Sequence, residues 1–276
     1  MRVPKVSWER VCAPKSEGGL GIRDSFSWNM AAIGKLVWWV YCSPDRLWVK
    51  WVHQVYIKGG LWPNYQPSGD ISWGWKQVCR ARDILAPGYS DGQWIMDPKG
   101  YTIGSGYDML RQKFQPVSWH KLIWHQVCIP KHQVICWMIA RRALMLKERL
   151  FALGIAPDDR CLLCGQGTES YDHIFQTCVY SRQVLDDLSR LCQVVIPHSD
   201  LLEWTEGYQC TQLKKKGLLC MVMAAYYHLW LQRNRARVDG LLMRPAVLSS
   251  QIMHEIRMHL ATRITVPPDG MNDVFL

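Results

Sequence analysis

The sequence predicts a mainly α-helical protein with a small β-hairpin and one compact Cys3His finger. Three observations carry this reading. Apolar residues recur at spacings of three and four over most of the chain, which is the helical period. One Pro–Gly turn, Asp97-Pro98-Lys99-Gly100, separates two short runs of strand-forming residues. Three cysteines and a histidine, Cys161, Cys164, His173 and Cys178, fall within 18 residues in the pattern C-x2-C-x8-H-x4-C.

Composition sets the outer limits. The chain has 276 residues, of which 49% are hydrophobic and 20% charged, so bulk disorder and collagen-like repeats are excluded. Eleven cysteines are too scattered for a disulfide scaffold in a chain this long. The N-terminal stretch lacks the apolar run of a signal peptide. The longest apolar run, Leu218–Leu231, has 14 residues interrupted by His228, and a membrane-spanning helix needs ~20. A soluble protein of a reducing compartment, with no membrane partner, is expected. Formal net charge is +10, which admits a nucleic acid or another polyanion as partner. It serves solubility equally well. The surplus is spread along the chain. Residues 1–118 hold 15 basic and 9 acidic side chains, residues 119–180 hold 7 and 5, and residues 181–276 hold 11 and 9.

Taken in order, Glu17-Gly18-Gly19-Leu20-Gly21 reads as a positive-φ turn. It lacks the Gly-Lys-Ser/Thr of a phosphate loop. Residues Ser27 to Ile57 have helical spacing, interrupted at Ser43-Pro44-Asp45, where a helix start with proline in its first turn is expected. Gly59-Gly60 and Pro63 stop that helix. A third helix is expected over Trp73–Arg82 and the hairpin over 93–103. Ser105, three residues before Asp108, reads as a capping box for a helix through Leu110. Helical spacing resumes at Trp119 and runs through Lys131–Gly154. Further helices are expected at Ser181–Cys192, Gln212–Arg237 and Ala246–Arg263, followed by a loose tail around Pro267-Pro268. The charge and punctuation divide the chain into regions 1–118, 119–180 and 181–276.

The Cys3His cluster is the one constellation with a chemistry of its own. Three thiolates and one imidazole form a donor set of structural Zn²⁺ sites. Cys161 and Cys164 sit on a tight loop, and Gly165 and Gly167 let the backbone turn back. His173 and Cys178 are expected from a short helix beginning near Thr168-Glu169. Four protein ligands leave no coordination position for a substrate, so one structural Zn²⁺ is expected. The other eight cysteines read as buried or incidental thiols. Asp158-Asp159, after Pro157 in a turn, reads as a helix or loop cap.

The finger and its flanks carry a wider pattern. Trp119-His120-Lys121-Leu122-Ile123-Trp124, Ile129-Pro130-Lys131, Trp137, Arg142-Ala143-Leu144 and Lys147-Glu148-Arg149-Leu150 precede it. Glu169, His173-Ile174-Phe175 and Cys178 lie within it. Trp8-Glu9-Arg10-Val11-Cys12, Glu17–Arg23 and Trp28-Asn29 lie upstream, and Trp230 with Arg233-Asn234 downstream. Together these resemble the C-terminal region of plant LINE-type, non-LTR retrotransposon reverse transcriptases, including their zinc-binding domain, over roughly residues 1–240. Related sequences often carry Pro-Thr where this chain has Met145-Leu146. Without that threonine cap, the two helices flanking the break are expected to run together.

The resemblance implies a nucleic-acid-binding remnant or a separately encoded C-terminal piece. No Tyr-x-Asp-Asp or equivalent aspartate pair for two-metal polymerisation is legible, nor are endonuclease elements in residues 181–276. Polymerase or nuclease activity is therefore not expected. The candidate phosphate contacts are Lys131, Arg141, Arg142, Lys147 and Arg149 ahead of the finger and Arg233, Arg235 and Arg237 after it. The expected partners are RNA or single-stranded DNA and a reverse-transcriptase core. The alternative is a structural or protein-interaction module that formerly packed on the polymerase, its abundant tryptophans being core and old interface.

Overall fold

The computed structural model describes residues 6–90, 94, 97 and 99–263, and every regular element among them is helical. The described residues divide into two units, residues 8–115 and residues 116–263 together with residues 6–7.

The first unit contains α1 (Trp8–Cys12), α2 (Ser25–Cys42), α3 (Leu47–Val52), α4 (Trp73–Ser90) and α5 (Ile103–Leu110). Asp24 caps α2 through a carboxylate that accepts the Ser27 N–H at 2.8 Å. The Ser43-Pro44-Asp45 segment joins α2 to α3 and does not open a helix, since the residue preceding α3 is Arg46. α3 continues as a π-turn over His53–Ile57 and stops where Lys58 and Gly59 take positive φ. The helix expected over Trp73–Arg82 continues through Pro87 to Ser90. Leu85 and Tyr89 bury themselves in the core along the added turns, and a proline this near the end disrupts little of the helix.

The expected β-hairpin is corrected. Gln93, Ile95, Met96 and Pro98 lie outside the described residues, and no strand occurs among those described. The turn itself is present: the Gly100 N–H donates to the Asp97 carbonyl at 2.8 Å, with Gly100 at φ 60°. The chain then enters a helix instead of a second strand, for two reasons. Tyr101 is fully buried and its hydroxyl donates to the Ala31 carbonyl at 2.6 Å. Thr102 forms a reciprocal capping box with Ser105, whose N–H donates to the Thr102 hydroxyl at 3.0 Å while the Ser105 hydroxyl accepts the Thr102 N–H at 3.1 Å. Ser105 is thus the third helical residue of α5, and the cap lies three residues before it.

The core of this unit is aromatic. Trp62, Trp75, Tyr89, Trp94 and Tyr101 cluster with aliphatic residues of α2 and α4. Arg82 is buried among them, donating to the carbonyls of Trp62 at 3.1 Å and Tyr65 at 2.6 Å. Arg111 closes the unit by donating to both carboxylate oxygens of Glu17 at 2.7 Å. α2 approaches closely at Gly34, where a Cβ atom would meet Leu85 Cδ1 and the Tyr101 hydroxyl at 2.4 Å each. Gly34→Ala is expected to destabilise the chain by about 1–3 kcal/mol, the cost of overpacking, read as a lowered urea midpoint. An unchanged midpoint would mean that this core yields freely.

The second unit contains α6 (His120–Ile123), α7 (Pro130–Ala140), α8 (Lys147–Ala152), α9 (Val179–Cys192), α10 (Leu201–Gly207), α11 (Gln212–Asp239) and α12 (Pro245–Arg263). α11 is its axis. From Gly217 to Tyr226 every residue is buried, as expected of a helix enclosed by neighbours on all sides. The packing of α7, α9, α10 and α12 against it supplies that enclosure. The long apolar run is therefore a core helix, and among the described residues no helix is long and apolar enough to cross a membrane. α10 went unseen in the sequence; Asp200 caps it by accepting the N–H groups of Leu202 and Glu203. Pro267-Pro268 lies outside the described residues.

α7 and α8 do not run together, contrary to expectation. Arg142 turns the chain at φ 48°. The cap missing at Leu146 is supplied from a distance: a Glu169 carboxylate oxygen accepts the Lys147 N–H at 2.7 Å.

Candidate metal centre

Residues 161–168 form a small closed loop. The Cys161 N–H donates to the Gly167 carbonyl at 3.0 Å, and the Gly165 N–H to the Cys161 carbonyl at 2.9 Å. Gly165 and Gly167 take φ 71° and 67°, where a side chain would strain the backbone. An isolated antiparallel bridge between Arg160 and Thr168 shuts the base of the loop. Asp158 and Asp159 brace it as a loop cap. Asp158 accepts the Arg160 N–H at 2.9 Å, and Asp159 accepts the Thr168 hydroxyl at 2.9 Å.

The other two donors come from a π-turn, His173–Thr177. Five residues of α-helix rotate about 500°, which would leave His173 and Cys178 about 140° apart. The wider turn, closed by the Cys178 N–H on the His173 carbonyl at 2.7 Å, brings them together. Single π-turns of this kind recur at functional sites.

The four donor atoms all lie within 4.8 Å of one another. Cys161 Sγ is 3.9 Å from Cys178 Sγ, and Cys164 Sγ is 3.3 Å from His173 Nε2. A tetrahedron with Zn–S of about 2.3 Å and Zn–N of about 2.0–2.1 Å has edges of about 3.5–3.8 Å, so the residues fit the ion. The donors' surroundings favour ligation. Cys178 sits at the N-terminus of α9. Its thiol is held well below the ordinary value, chiefly by the Cys161 thiol, and further by the Ser181 and Tyr180 N–H groups. The Cys161 thiol is pushed up in return by the same shared hydrogen bond and by burial. The Gln166 N–H donates to Cys164 Sγ at 3.4 Å. His173 Nδ1 faces the Thr177 hydroxyl at 3.4 Å, a contact that orients the ring with Nε2 toward the centre.

Beneath the loop lies a group that spacing alone did not reveal. Glu169 is fully buried and Arg233, from α11, is 1% exposed. Arg233 Nε and Nη2 donate to Glu169 Oε1 at 3.0 and 2.6 Å, and Nη2 also reaches the Met145 carbonyl at 3.1 Å. Glu169 Oε2 accepts the Leu162 N–H at 3.2 Å. One carboxylate thus ties the ligand loop, the start of α8 and the axis helix together.

The eight candidate phosphate contacts differ in their surroundings. Arg233 belongs to the interior, because its guanidinium is spent on Glu169. Lys147 is largely covered and its ammonium bonds Asp158. Lys131 pairs with Glu255 of α12 at 2.7 Å. Arg141 lies over the Trp119 ring at 5.6 Å. Arg142 is exposed, lies over Tyr171 at 5.7 Å and pairs loosely with Asp172 at 3.4 Å. Arg149 is half-buried, and Arg235 and Arg237 are exposed on the last turns of α11. The remaining cysteines are free thiols. Six are buried, Cys210 is half-buried and Cys42 is exposed.

A closed Cys3His set, braced by a buried ion pair inside a helical unit, has the donors and spacing of a structural zinc site. The comparisons agree with this class. Residues 101–184 match the family described as zinc-binding in reverse transcriptase. A stretch of 99 residues is 34% identical to a putative ribonuclease H protein of Arabidopsis thaliana, covering 33% of this chain and 16% of that protein. The match therefore spans a small part of that relative's length. No solved structure matches the chain. These findings are consistent with a plant retrotransposon-derived protein, in line with the resemblance carried by the residues themselves.

Proposed function

We propose that this chain is a non-catalytic, zinc-stabilised module that binds RNA or single-stranded DNA and derives from the C-terminal region of a non-LTR reverse transcriptase. One structural Zn²⁺ is held by Cys161, Cys164, His173 and Cys178. The observation that carries the reading is the closure of this donor set: with four protein ligands the ion has no place for a reacting water or phosphate. The metal shapes a surface and performs no reaction. The nucleic acid meets the exposed cations Arg142, Arg235 and Arg237 and the half-buried Arg149, with Trp119 and Tyr171 as rings that already carry arginines and suit base stacking.

Four phosphate contacts on a single strand imply that affinity falls about 50-fold as salt rises from about 50 to about 200 mM. A gel-shift titration with single-stranded oligonucleotides checks this, and Arg235→Gln with Arg237→Gln is expected to flatten the salt dependence. No shift at the lowest salt would remove the nucleic-acid reading.

A second reading, docking onto a reverse-transcriptase core, is favoured by a specific observation. Phe151, Leu153 and Ile155, just ahead of the ligand loop, are 51%, 45% and 59% exposed. A groove beside the π-turn is also lined by Asp172, Asp200, Glu203 and Glu206 against the single Arg142, a charge balance that repels phosphate. Co-purification with a polymerase fragment, lost on Phe151→Ser, would favour docking over nucleic acid.

A further inference from the structure

Away from the finger, three helices bring a second set of donors together. His132 on α7, His228 on α11 and Glu255 on α12 place their ligand atoms within 4.8 Å of one another. His132 is 1% exposed, and neither of its ring nitrogens has a hydrogen-bond partner. A buried polar group without a partner is costly, and such groups in a folded protein call for an explanation. This one is aimed at the cluster: Nε2 lies 3.6 Å from Glu255 Oε2. His228 Nε2 lies 2.6 Å from the same oxygen.

We propose that His132, His228 and Glu255 form a second metal site, a three-helix His2Glu centre for a divalent transition ion such as Zn²⁺, distinct from the Cys3His finger. Two imidazoles and a carboxylate are a donor set that Zn²⁺ and its neighbours in the first transition row accept. Around a tetrahedral Zn²⁺ with bonds of about 2.0–2.1 Å, nitrogen and oxygen donors stand about 3.3 Å apart. The two observed separations, 2.6 and 3.6 Å, bracket that value. The imidazole must be neutral to ligate. Burial favours this form for His132, pushing its pKa down to about 4 despite the attraction of Glu255.

The remaining groups around the cluster have definite parts. Lys131 Nζ donates to the other oxygen, Glu255 Oε1, at 2.7 Å. This contact fixes the carboxylate's rotation and leaves Oε2 turned toward the histidines, as outer-shell partners do. Its positive charge also weakens the site, so binding is expected to be weaker than at the thiolate finger. The Tyr227 ring lies against His132, with centroids 4.6 Å apart, and holds the imidazole plane. His228 and Glu255 open on a surface groove lined also by Tyr227, Leu231, His254 and Met258. With three protein donors and access to that groove, the centre differs from the finger in kind: it leaves room for a water or a small ligand on the ion.

The test is the number of ions held by the full chain. After equilibrium dialysis against buffered Zn²⁺, plasma mass spectrometry is expected to find two ions per chain in the wild type. It is expected to find one in His228→Gln, one in Glu255→Gln and one in Cys164→Ser. With Co²⁺ as the probe, the thiolate-to-cobalt absorption of the finger should be unchanged in His228→Gln. His132→Leu guards against a variant that fails to fold. It replaces an unpartnered buried imidazole with an apolar side chain, so its thermal midpoint should equal or exceed that of the wild type while one ion is lost. The proposal is overturned by a wild type that holds a single ion, by a His132→Leu chain that holds as many ions as the wild type, or by a wild-type count that Cys164→Ser reduces to zero.

Discussion

Cys178→Ser is expected to abolish metal binding at the finger and open the segment from Asp158 to Thr177. The substitution removes a thiolate from the donor set, while the serine hydroxyl still accepts the Ser181 or Tyr180 N–H at the N-terminus of α9, so the effect is that of the lost ligand. Zn²⁺ supplies about 10–16 kcal/mol of apparent folding free energy in small zinc-finger peptides. Here the packing of α7, α11 and α12 remains, so the loss is local. Hydrogen exchange is the appropriate reader: amides of 161–178 should lose protection, while those of α2 and α4 in the other unit keep theirs. Chelation of the wild type should reproduce the pattern. Acidification should as well, because thiolate ligands must shed protons to bind and metal affinity falls as pH drops. Unchanged protection of 161–178 after chelation would show that the loop holds its shape without the ion.

The second large effect belongs to Arg233→Met. It leaves Glu169 buried and charged with its main partner gone, a change that costs about 3–5 kcal/mol. Glu169→Gln is expected to fall in a similar range, since it orphans the guanidinium. The double variant should not recover full stability, although buried ion pairs replaced by apolar residues often do. The reason is that Glu169 also accepts the Lys147 and Leu162 N–H groups. In Glu169→Gln the side-chain amide keeps one acceptor oxygen and turns its NH2 group to the other donor, so one of the two part-buried N–H groups loses its partner, at about 1–3 kcal/mol. Denaturant titration of the three variants decides the matter, and a cost below about 1 kcal/mol for Arg233→Met would remove the clamp's stabilising role.

The metal centre was legible because its information is local. Cys161 and Cys164 belong to one turn, and His173 and Cys178 to the next, so spacing alone pointed to the cluster. The helices α11 and α12 were legible for the same reason: their apolar period runs for many turns and their starts are marked. Where sequence reading failed, a distant partner decided the outcome. The Asp97–Gly100 turn is real, but the fate of Tyr101 was settled by Ala31, 70 residues away. Leu146 lacks a capping side chain, yet α8 begins there because Glu169 reaches across 22 residues to its first N–H. Arg233 looked like a phosphate ligand because a cation near a helix end is exposed more often than not. Nothing local announces that a carboxylate 64 residues earlier will meet it. The His132, His228 and Glu255 cluster is hidden in the same way, with one residue on each of three helices.

The two braces of the finger differ in how much chain they require. The four donors lie within 18 consecutive residues, so bringing them together closes only short loops, at small entropic cost. The Glu169–Arg233 pair closes a loop of 64 residues and must await α11. During synthesis, a chain that has emerged only as far as Cys178 already possesses every zinc ligand, while its ion-pair partner has yet to be made. The spacing thus lets the four donors meet before the clamp can form, since the clamp needs the axis helix in place.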